Sequence, residues 1–567
     1  MTGIITGQLS YVAGTSDTPL LYQTVGAALE AATAKHRDRP ALVVPHQNIR
    51  WTYAELNQKA TDVAAGLIAL GLEPGDRVGL WAPNCAEWVV TQFATAKAGL
   101  ILVNINPAYR TSELEYALNK VGCKALVLAS SFKSSDYIGM LREIAPELDR
   151  CDAGKLKAPR LPDLKTAIVI DDHPPGGFMA FNTLDQKIND DAATMVADLA
   201  CTLQPDDPIN IQFTSGTTGF PKGATLTHHS ILNNGYFVAV RQSFSEADIL
   251  CIPVPLYHCF GMVMGVLGCI THGAAIVLSG EAFDPETVLA TVEAEKCTAL
   301  YGVPTMFIAE LEHASFGTYD LSSLRTGAMA GSPCPIEVMK RVISDMHMSE
   351  VTIAYGMTET APVSFQSKKN DPLEKRVGTV GQIHPFVEVK IVGEDGKTVT
   401  RTQQGELCTR GYSVMRGYWA DDERTAESID KAGWMHTGDL ATMDQDGYVN
   451  ITGRLKDMII RGGENIYPRE IEEFLFTHPA VQDVQVFGIA DDRMGEEVCA
   501  WVLLRDGEQT DEDQIRAFCQ GKIAHYKVPR YIRFVREYPM TVTGKIQKFV
   551  MRDMMQDELQ QDRTLTP

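Results

Sequence analysis

Between an apolar, strand-like stretch at residues 209–213 and a helix-like one opening near His228 lies the run Thr214, Ser215, Gly216, Thr217, Thr218, Gly219, Phe220, Pro221, Lys222, Gly223. Hydroxyls, glycines and one lysine placed after a strand predict a loop whose backbone N–H and side-chain O–H groups turn outward as a cradle for an anion. A polyphosphate fits that chemistry, and ATP is the expected form of it. The run is not a Walker loop, which needs Gly-x-x-x-x-Gly-Lys-Ser/Thr. Here Pro221 replaces the second glycine, and Gly223 stands where a magnesium-holding hydroxyl would be. Polar turns also collect Ser, Thr and Gly, but a run this long between two regular elements exceeds what a turn needs.

A chain of 567 residues is too long for one ordinary core and predicts two to four domains or subdomains. With 51 Lys and Arg against 72 Asp and Glu, the formal charge is -21. That balance speaks against unspecific binding to nucleic acid or to an anionic membrane surface, so a polyanionic ligand has to be captured by local positive groups. Twelve cysteines occur without a Cys-x-x-Cys pair or a Cys/His spacing suited to zinc. They suit a reducing compartment, and residues 1–18 read neither as a secretory signal nor as an Arg-rich transit peptide, so a cytoplasmic location is expected. Residues 260–278 have the length of a membrane span, but Thr271, His272 and several glycines interrupt them. A buried helix, a Thr-His-Gly turn and a strand at 274–278 are expected instead, with no integral membrane association.

Strand-like segments at 77–82, 100–105 and 124–129 alternate with helix-like ones at 87–97 and 112–119, a rhythm that predicts parallel sheets covered by helices. No Gly-x-Gly-x-x-Gly follows the early strands, so a dinucleotide site is not supported. Turn signals at 393–396 and 444–447 mark a strand-rich region near 386–452. Beyond it, strand-like 481–488 and 498–504 and a capped helix at 511–522 suffice for a self-contained unit.

Five further segments accompany the first run: Tyr355-Gly356-Met357-Thr358-Glu359-Thr360, Thr437-Gly438-Asp439-Leu440, Gly453-Arg454-Leu455-Lys456-Asp457, Gly462-Gly463-Glu464-Asn465-Ile466-Tyr467-Pro468 and Thr543-Gly544-Lys545-Ile546. In content and order they resemble the adenylate-forming superfamily of acyl-CoA synthetases, aryl-CoA ligases, luciferases and peptide-synthetase adenylation domains, over about residues 21–555. Pro255-Leu256-Tyr257-His258-Cys259-Phe260-Gly261 and residues 458–465 are most similar to the medium-chain fatty acyl-CoA synthetases. The resemblance implies an α/β fold. Residues 1–454 would form a large domain of two parallel-type sheets with helices plus a small β-barrel-like subdomain, and residues 455–567 a smaller, mobile α+β domain. It implies an ATP-dependent ligase that makes an acyl-adenylate from a carboxylate, releases pyrophosphate, then passes the acyl group to coenzyme A and releases AMP. A stand-alone enzyme loading a carrier protein, or a ligase for an aryl or sulfur-containing acid, remains an alternative. A homodimer is compatible with this reading. A luciferase-like oxygenase or a non-catalytic scaffold fits less well, the latter because it predicts ruined phosphate and magnesium residues.

The chemistry asks for these residue types. A carboxylate attacking the α-phosphorus of ATP brings anion to polyanion, so positive charge must be in place beforehand. The resemblance assigns ATP binding to Thr214, Ser215, Gly216, Thr217, Thr218, Gly219 and Lys222 and catalysis to Lys545, His258, Thr358 and Glu359, with Glu359 as the Mg2+ ligand and Lys545 reaching the α-phosphate. Tyr355, Gly331 and Ser332 are expected around the adenine. Asp439 offers two carboxylate oxygens to the vicinal ribose hydroxyls, with Arg454 adding donors. The acyl pocket is expected at Tyr257, His258, Val303, Ala330 and Gly356. His258 would hydrogen-bond the substrate carboxylate rather than move a proton, since a carboxylate attacking phosphorus has none to lose. Small Gly261, Gly265 and Gly302 are expected to leave room for the chain, whereas His228 and His229 read as structural. Lys456 is the expected hinge, and Gly462, Gly463 and Glu464 the loop presented to coenzyme A.

Overall fold

The computed structural model describes residues 9–214, 221–461, 464–491, 493–520, 522–541 and 545–565, with Asn465 and the last six as backbone only. Strands Arg77–Trp81, Ile101–Asn104 and Cys123–Ala129 are apolar and buried almost throughout. Such strands have no polar face to give to water, so they belong in a parallel sheet with helices on both sides. They occupy the middle of an eight-stranded sheet in the order Met179–Ala180, Thr166–Ile170, Cys123–Ala129, Arg77–Trp81, Ile101–Asn104, Pro208–Thr214, Lys222–Thr227, Gly417–Tyr418. The first six are parallel, and the last two add antiparallel. A nine-stranded sheet has a parallel centre of Glu350–Gly356, Thr326–Ala330, Ala299–Gly302, Ile249–Cys251, Ala275–Val277 and Pro40–Val44, with antiparallel edges.

One apolar cluster joins the two sheets through helices packed between them. Trp88 and Phe93 of the buried helix Ala86–Lys97 share it with Leu80 and Val127 of the first sheet and Leu250 and Ala299 of the second. The third sheet is antiparallel and five-stranded: Tyr11–Ala13, Val387–Val392, Gly405–Gly411, Met435–Met443, Val449–Arg454. It stands where the strand-rich subdomain was expected, and its outer strand comes from the N-terminus, which nothing in residues 1–20 announces. A fourth sheet is built entirely from residues beyond 458, around the long antiparallel pair Val481–Asp491 and Gly495–Leu504, with Tyr531–Val535 parallel to the latter.

Residues 260–278 depart in detail from their expected form. A helix with wide π spacing over Phe260–Leu267 continues as α through Gly268–His272 and closes at Gly273, φ 74°, before the strand Ala275–Val277. Thr271 and His272 therefore form the last helical turn. The Thr271 hydroxyl can do so because it donates back to the carbonyls of Leu267 at 2.9 Å and Gly268 at 3.0 Å. Among the described residues no helix is long and apolar enough to cross a membrane.

Helix His228–Arg241 follows directly on Lys222–Thr227, capped by the Thr227 hydroxyl accepting from the Ser230 amide. His228 is structural, as expected: it is buried, its Nδ1 accepts the Val25 N–H at 3.1 Å, and burial pushes its pKa down to about 3. Below its ordinary value near 6.5 the unfolded chain takes up a proton that the folded chain refuses. This histidine's contribution is thus complete above pH 6.5 and declines as pH falls toward 3, by about 1.4 kcal/mol per pH unit. Between pH 7 and pH 5, His228→Gln should lose about 2 kcal/mol less unfolding free energy in urea than the parent chain does. Equal losses would show that His228 is not held neutral.

Candidate active site

The antiparallel ladder places Thr214, the last residue of its strand, directly opposite Lys222, the first of the next. Both ends of the cradle are thereby fixed side by side. Ser215, Gly216, Thr217, Thr218, Gly219 and Phe220 lie outside the described residues. The Thr214 hydroxyl donates to Glu359 Oε1 at 3.4 Å, and the Tyr418 hydroxyl donates to the same oxygen at 2.8 Å. Lys222 Nζ stands 4.8 Å above the Tyr418 ring. Glu359 is buried in the short turn Thr358–Thr360 beside buried Thr358, and its carbonyl accepts the Met415 N–H at 2.9 Å. The acid is therefore held on three sides, from the cradle's strand, from strand Gly417–Tyr418 and by its own backbone.

Asp439 and Arg454 are direct cross-strand partners on Met435–Met443 and Val449–Arg454, so antiparallel pairing alone brings them together. Arg454 Nε donates to Asp439 Oδ1 at 2.9 Å, and Tyr355 donates its hydroxyl to Oδ2 at 2.5 Å. Burial and the Asp439 charge push the Tyr355 phenol well above its ordinary pKa, which keeps it a donor. Each carboxylate oxygen is oriented by one donor and retains lone-pair capacity for another.

Lys545 enters from the C-terminal region, its backbone N–H held by the Thr541 hydroxyl at 3.1 Å. Its Cε passes within 3.8 Å of where a side chain on Gly331 would begin, an ordinary packing contact, and it is the left-handed φ of 91° that calls for glycine there. Burial first, then the Arg454 charge, lowers the ammonium below the usual lysine range, while Glu359, Cys259 and Asp439 act in the opposite direction. The lysine in turn adds to the burial that depresses His258 to about 3, so this imidazole is neutral. His258 Nδ1 accepts the Phe260 N–H at 3.2 Å, which leaves Nε2 to carry the ring proton and to donate it in a hydrogen bond. Lys545, His258, Glu359, Asp439 and Arg454 thus form one electrostatic neighbourhood, although they come from the nine-stranded sheet's connections, the antiparallel sheet and the C-terminal region.

Val303 and Ala330 are buried, Tyr257 and Ser332 half-buried, and Gly356 exposed. A methyl group on Gly356 would fall 1.8 Å from the Pro362 carbonyl oxygen, so only glycine fits. The space beside Gly261, Gly265 and Gly302 corrects the sequence expectation. Side chains there would meet the Pro255 carbonyl oxygen at 2.6 Å, Ile252 Cδ1 at 2.6 Å and Phe307 Cε2 at 2.9 Å. These glycines let protein pack against protein; they do not open a channel. Gly261→Ala should therefore cost about 1–3 kcal/mol of stability through overpacking and leave the order of preference among acids unchanged. Calorimetry together with an acid panel checks this, and a shift toward shorter acids at unaltered stability would restore the open-channel reading.

Lys456 is exposed in a turn closed by the Asp457 and Met458 amides on the Arg454 carbonyl, both at 3.1 Å. Gly462, Gly463, Thr543 and Gly544 lie outside the described residues, and Glu464 is exposed, paired with Arg461 on the C-terminal sheet. Sequence reasoning missed Tyr418, which orients Glu359, and assigned no role to Cys259, whose Sγ donates to Gln212 Oε1 at 3.1 Å beside Lys545. Cys259 could have been flagged, since it lies inside a quoted motif. Tyr418 carries no local signal.

Known proteins resemble this chain over nearly its whole length. The AMP-binding enzyme family matches residues 29–419, and the AMP-binding enzyme C-terminal domain matches residues 470–545. The chain is 50% identical over 536 residues to a Bacillus subtilis (strain 168) protein named as an acyl-CoA synthetase, YngI, covering 94% of this chain and 97% of that one. It is 47% identical over 558 residues to the mitochondrial medium-chain acyl-CoA ligase ACSF2 of Bos taurus, covering 98% and 91%. A solved structure of the anthranilate CoA ligase AuaEII in complex with anthranoyl-AMP superposes with a TM-score of 0.84 at 28% identity, covering 95% of this chain and 98% of that one. The chain belongs to the AMP-binding enzyme family. Its activity is that of an AMP-forming acid–thiol ligase, which consumes a carboxylate, ATP and coenzyme A and makes an acyl-CoA.

Proposed function

We propose that the acid is a medium-chain fatty acid and that both half-reactions use the residues gathered around Lys545. The observation that carries the assignment of roles is the convergence of Lys545, Glu359 and the Asp439–Arg454 pair beside the cradle ends Thr214 and Lys222. Asp439 takes the ribose hydroxyls, with Tyr355, Gly331 and Ser332 at the base. The carboxylate oxygen bonds to the α-phosphorus while the bond to the pyrophosphate oxygen breaks. Lys545 faces the negative charge that builds on the α-phosphate, and His258 Nε2–H orients the incoming carboxylate. Both hydroxyl donors reach Glu359 at Oε1, which directs the carboxylate's other oxygen away from them. An all-oxygen set of this kind suits Mg2+, which Glu359 would hold and which, when bound, neutralises phosphate charge.

For the second half-reaction, residues 455–567 act as a body that turns about Lys456 relative to 1–454, withdrawing Lys545 and presenting Gly462, Gly463 and Glu464 to the pantetheine arm. The separate family matches on either side of residue 455 support this division. The thiolate then attacks the acyl carbonyl and AMP leaves. Similarity to a ligase named medium-chain supports the acid, and the twelve unpaired cysteines support a reducing compartment such as the cytoplasm.

Straight-chain acids from acetate to palmitate, together with benzoate, assayed for AMP release with and without free coenzyme A, test the substrate and the acceptor together. Each buried methylene contributes about 0.8 kcal/mol, so apparent affinity should climb with length and then fall once the pocket is full. We expect a medium-chain maximum and acyl-CoA as product. A flat profile, a preference for benzoate, or adenylate that free coenzyme A leaves intact would overturn the assignment.

A further inference from the structure

A second cluster of chemically potent side chains lies in the antiparallel sheet. Glu406 and Cys408 sit two residues apart on strand Gly405–Gly411, and His436 on Met435–Met443 is the direct cross-strand partner of Cys408. The ladder slips between Glu406, opposite Leu440, and Cys408, opposite His436, and this irregularity brings the imidazole up to both the thiol and the carboxylate, although 28 residues separate Cys408 from His436. His436 Nδ1 is 3.5 Å from Cys408 Sγ and 2.8 Å from Glu406 Oε2, and all three donor atoms lie within 4.8 Å of one another.

These distances approach the edges of a coordination tetrahedron. With Zn–S near 2.3 Å and Zn–N near 2.0 Å, tetrahedral angles give an S···N edge of about 3.5 Å and an N···O edge of about 3.3 Å. The sulfur–nitrogen edge is already formed, and the nitrogen–oxygen edge has to open by about 0.5 Å from its hydrogen-bonded length. The surroundings are also those of a metal site. Glu406 Oε1 accepts the Gly438 N–H at 3.2 Å, which fixes the carboxylate, and Asp430 Oδ2 lies 3.9 Å from His436 Nε2, beyond hydrogen-bond distance but on the side from which a carboxylate would orient the ring. Metal-bound histidines characteristically have such a group behind them. Cys408 is fully buried against Val392 and Trp434, whereas His436 and Glu406 are partly exposed, so an ion has a route in and a fourth position open to water.

We propose that Glu406, Cys408 and His436 bind one borderline-soft divalent transition ion of the Zn2+ class, at a site separate from the Mg2+ expected on Glu359. A thiolate, an imidazole and a carboxylate select such an ion over Mg2+ or Ca2+. On binding, Sγ exchanges its proton, which goes to solvent, for a bond to the metal, and the imidazole lone pair on Nδ1 supplies the second bond. The ion would tie strand Gly405–Gly411 to the strand carrying Asp439 three residues beyond His436, as a clamp behind the ribose carboxylate.

Titration of the metal-free full-length chain with Co2+, followed by absorption, tests this. One equivalent should give thiolate-to-cobalt charge-transfer absorption that Zn2+ removes and excess Mg2+ does not; cobalt on Glu359 alone has oxygen ligands and gives no such band. Cys408→Ser should abolish the band, while Cys259→Ser should keep it. His436→Gln, at a partly exposed position, should keep the parental circular dichroism spectrum and weaken binding by at least about 10-fold. Absence of the band in the parent chain, or its persistence at full strength in His436→Gln or Cys408→Ser, overturns the proposal.

Discussion

Lys545→Ala should slow adenylate formation by on the order of 10²-fold or more, the scale on which removal of one placed charge stabiliser acts. The same variant should convert supplied acyl-adenylate and coenzyme A to thioester at close to the parental rate. The reasoning is electrostatic. The half-buried lysine sits within the fields of Glu359, Asp439 and Cys259, and an ammonium already in place stabilises charge developing beside it with little reorganisation. Alanine leaves the cradle, Asp439 and Arg454 in place, so ATP binding should change far less than turnover, and the loss should fall on kcat. Pyrophosphate exchange measured alone reports the first step. A near-normal exchange rate would remove Lys545 from the chemistry, and an equal loss in both half-reactions would mean that the substitution damages the fold instead.

Lys456→Pro should give the complementary result. The turn after Arg454 is closed by the amides of Asp457 and Met458, neither of which proline at 456 removes; proline does press Leu455 toward extended backbone, and the exposed turn has to absorb that strain for Lys545 still to be delivered. Proline does fix φ at 456 and restrict Leu455 before it, removing the backbone freedom that a rotation of the C-terminal region needs. Pyrophosphate exchange should stay within a few-fold of the parent, while thioester formation from supplied adenylate should fall by on the order of 10²-fold. Thioester formation at the parental rate would place the pivot elsewhere or dispense with one.

What the sequence discloses follows from how local each feature is. The alternation around Arg77–Trp81, Ile101–Asn104 and Cys123–Ala129 is visible because burial on both faces leaves an uninterrupted apolar run, and the parallel sheet follows from it. Asp439, Arg454 and Glu359 stand in short motifs that resemble those of the adenylate-forming superfamily; by residue type alone, Gly-Asp reads as a turn and Arg454 as a surface ion-pair partner. Tyr418 is silent because its importance comes from the pairing of a two-residue strand with Lys222–Thr227, a contact between segments almost two hundred positions apart in the chain. Gly261, Gly265 and Gly302 misled for a related reason: a missing side chain signals close approach, and only the packing tells whether protein or substrate approaches. Cys408 and His436 are silent for the same reason: no Cys/His spacing along the chain marks them, because they meet across a ladder.

A hydroxyl-lined cradle, an acidic magnesium ligand, a ribose carboxylate and a lysine from the far end of the chain are proposed to act on one nucleotide, and a crystal structure with a non-hydrolysable medium-chain acyl-adenylate analogue tests this. The ribose hydroxyls should lie on Asp439, with the Lys545 ammonium about 3 Å from the group replacing the phosphate and Glu359 alongside. Adenosine bound away from Asp439, or Asp439 and Lys545 facing separate spaces with the analogue in neither, would contradict the claim.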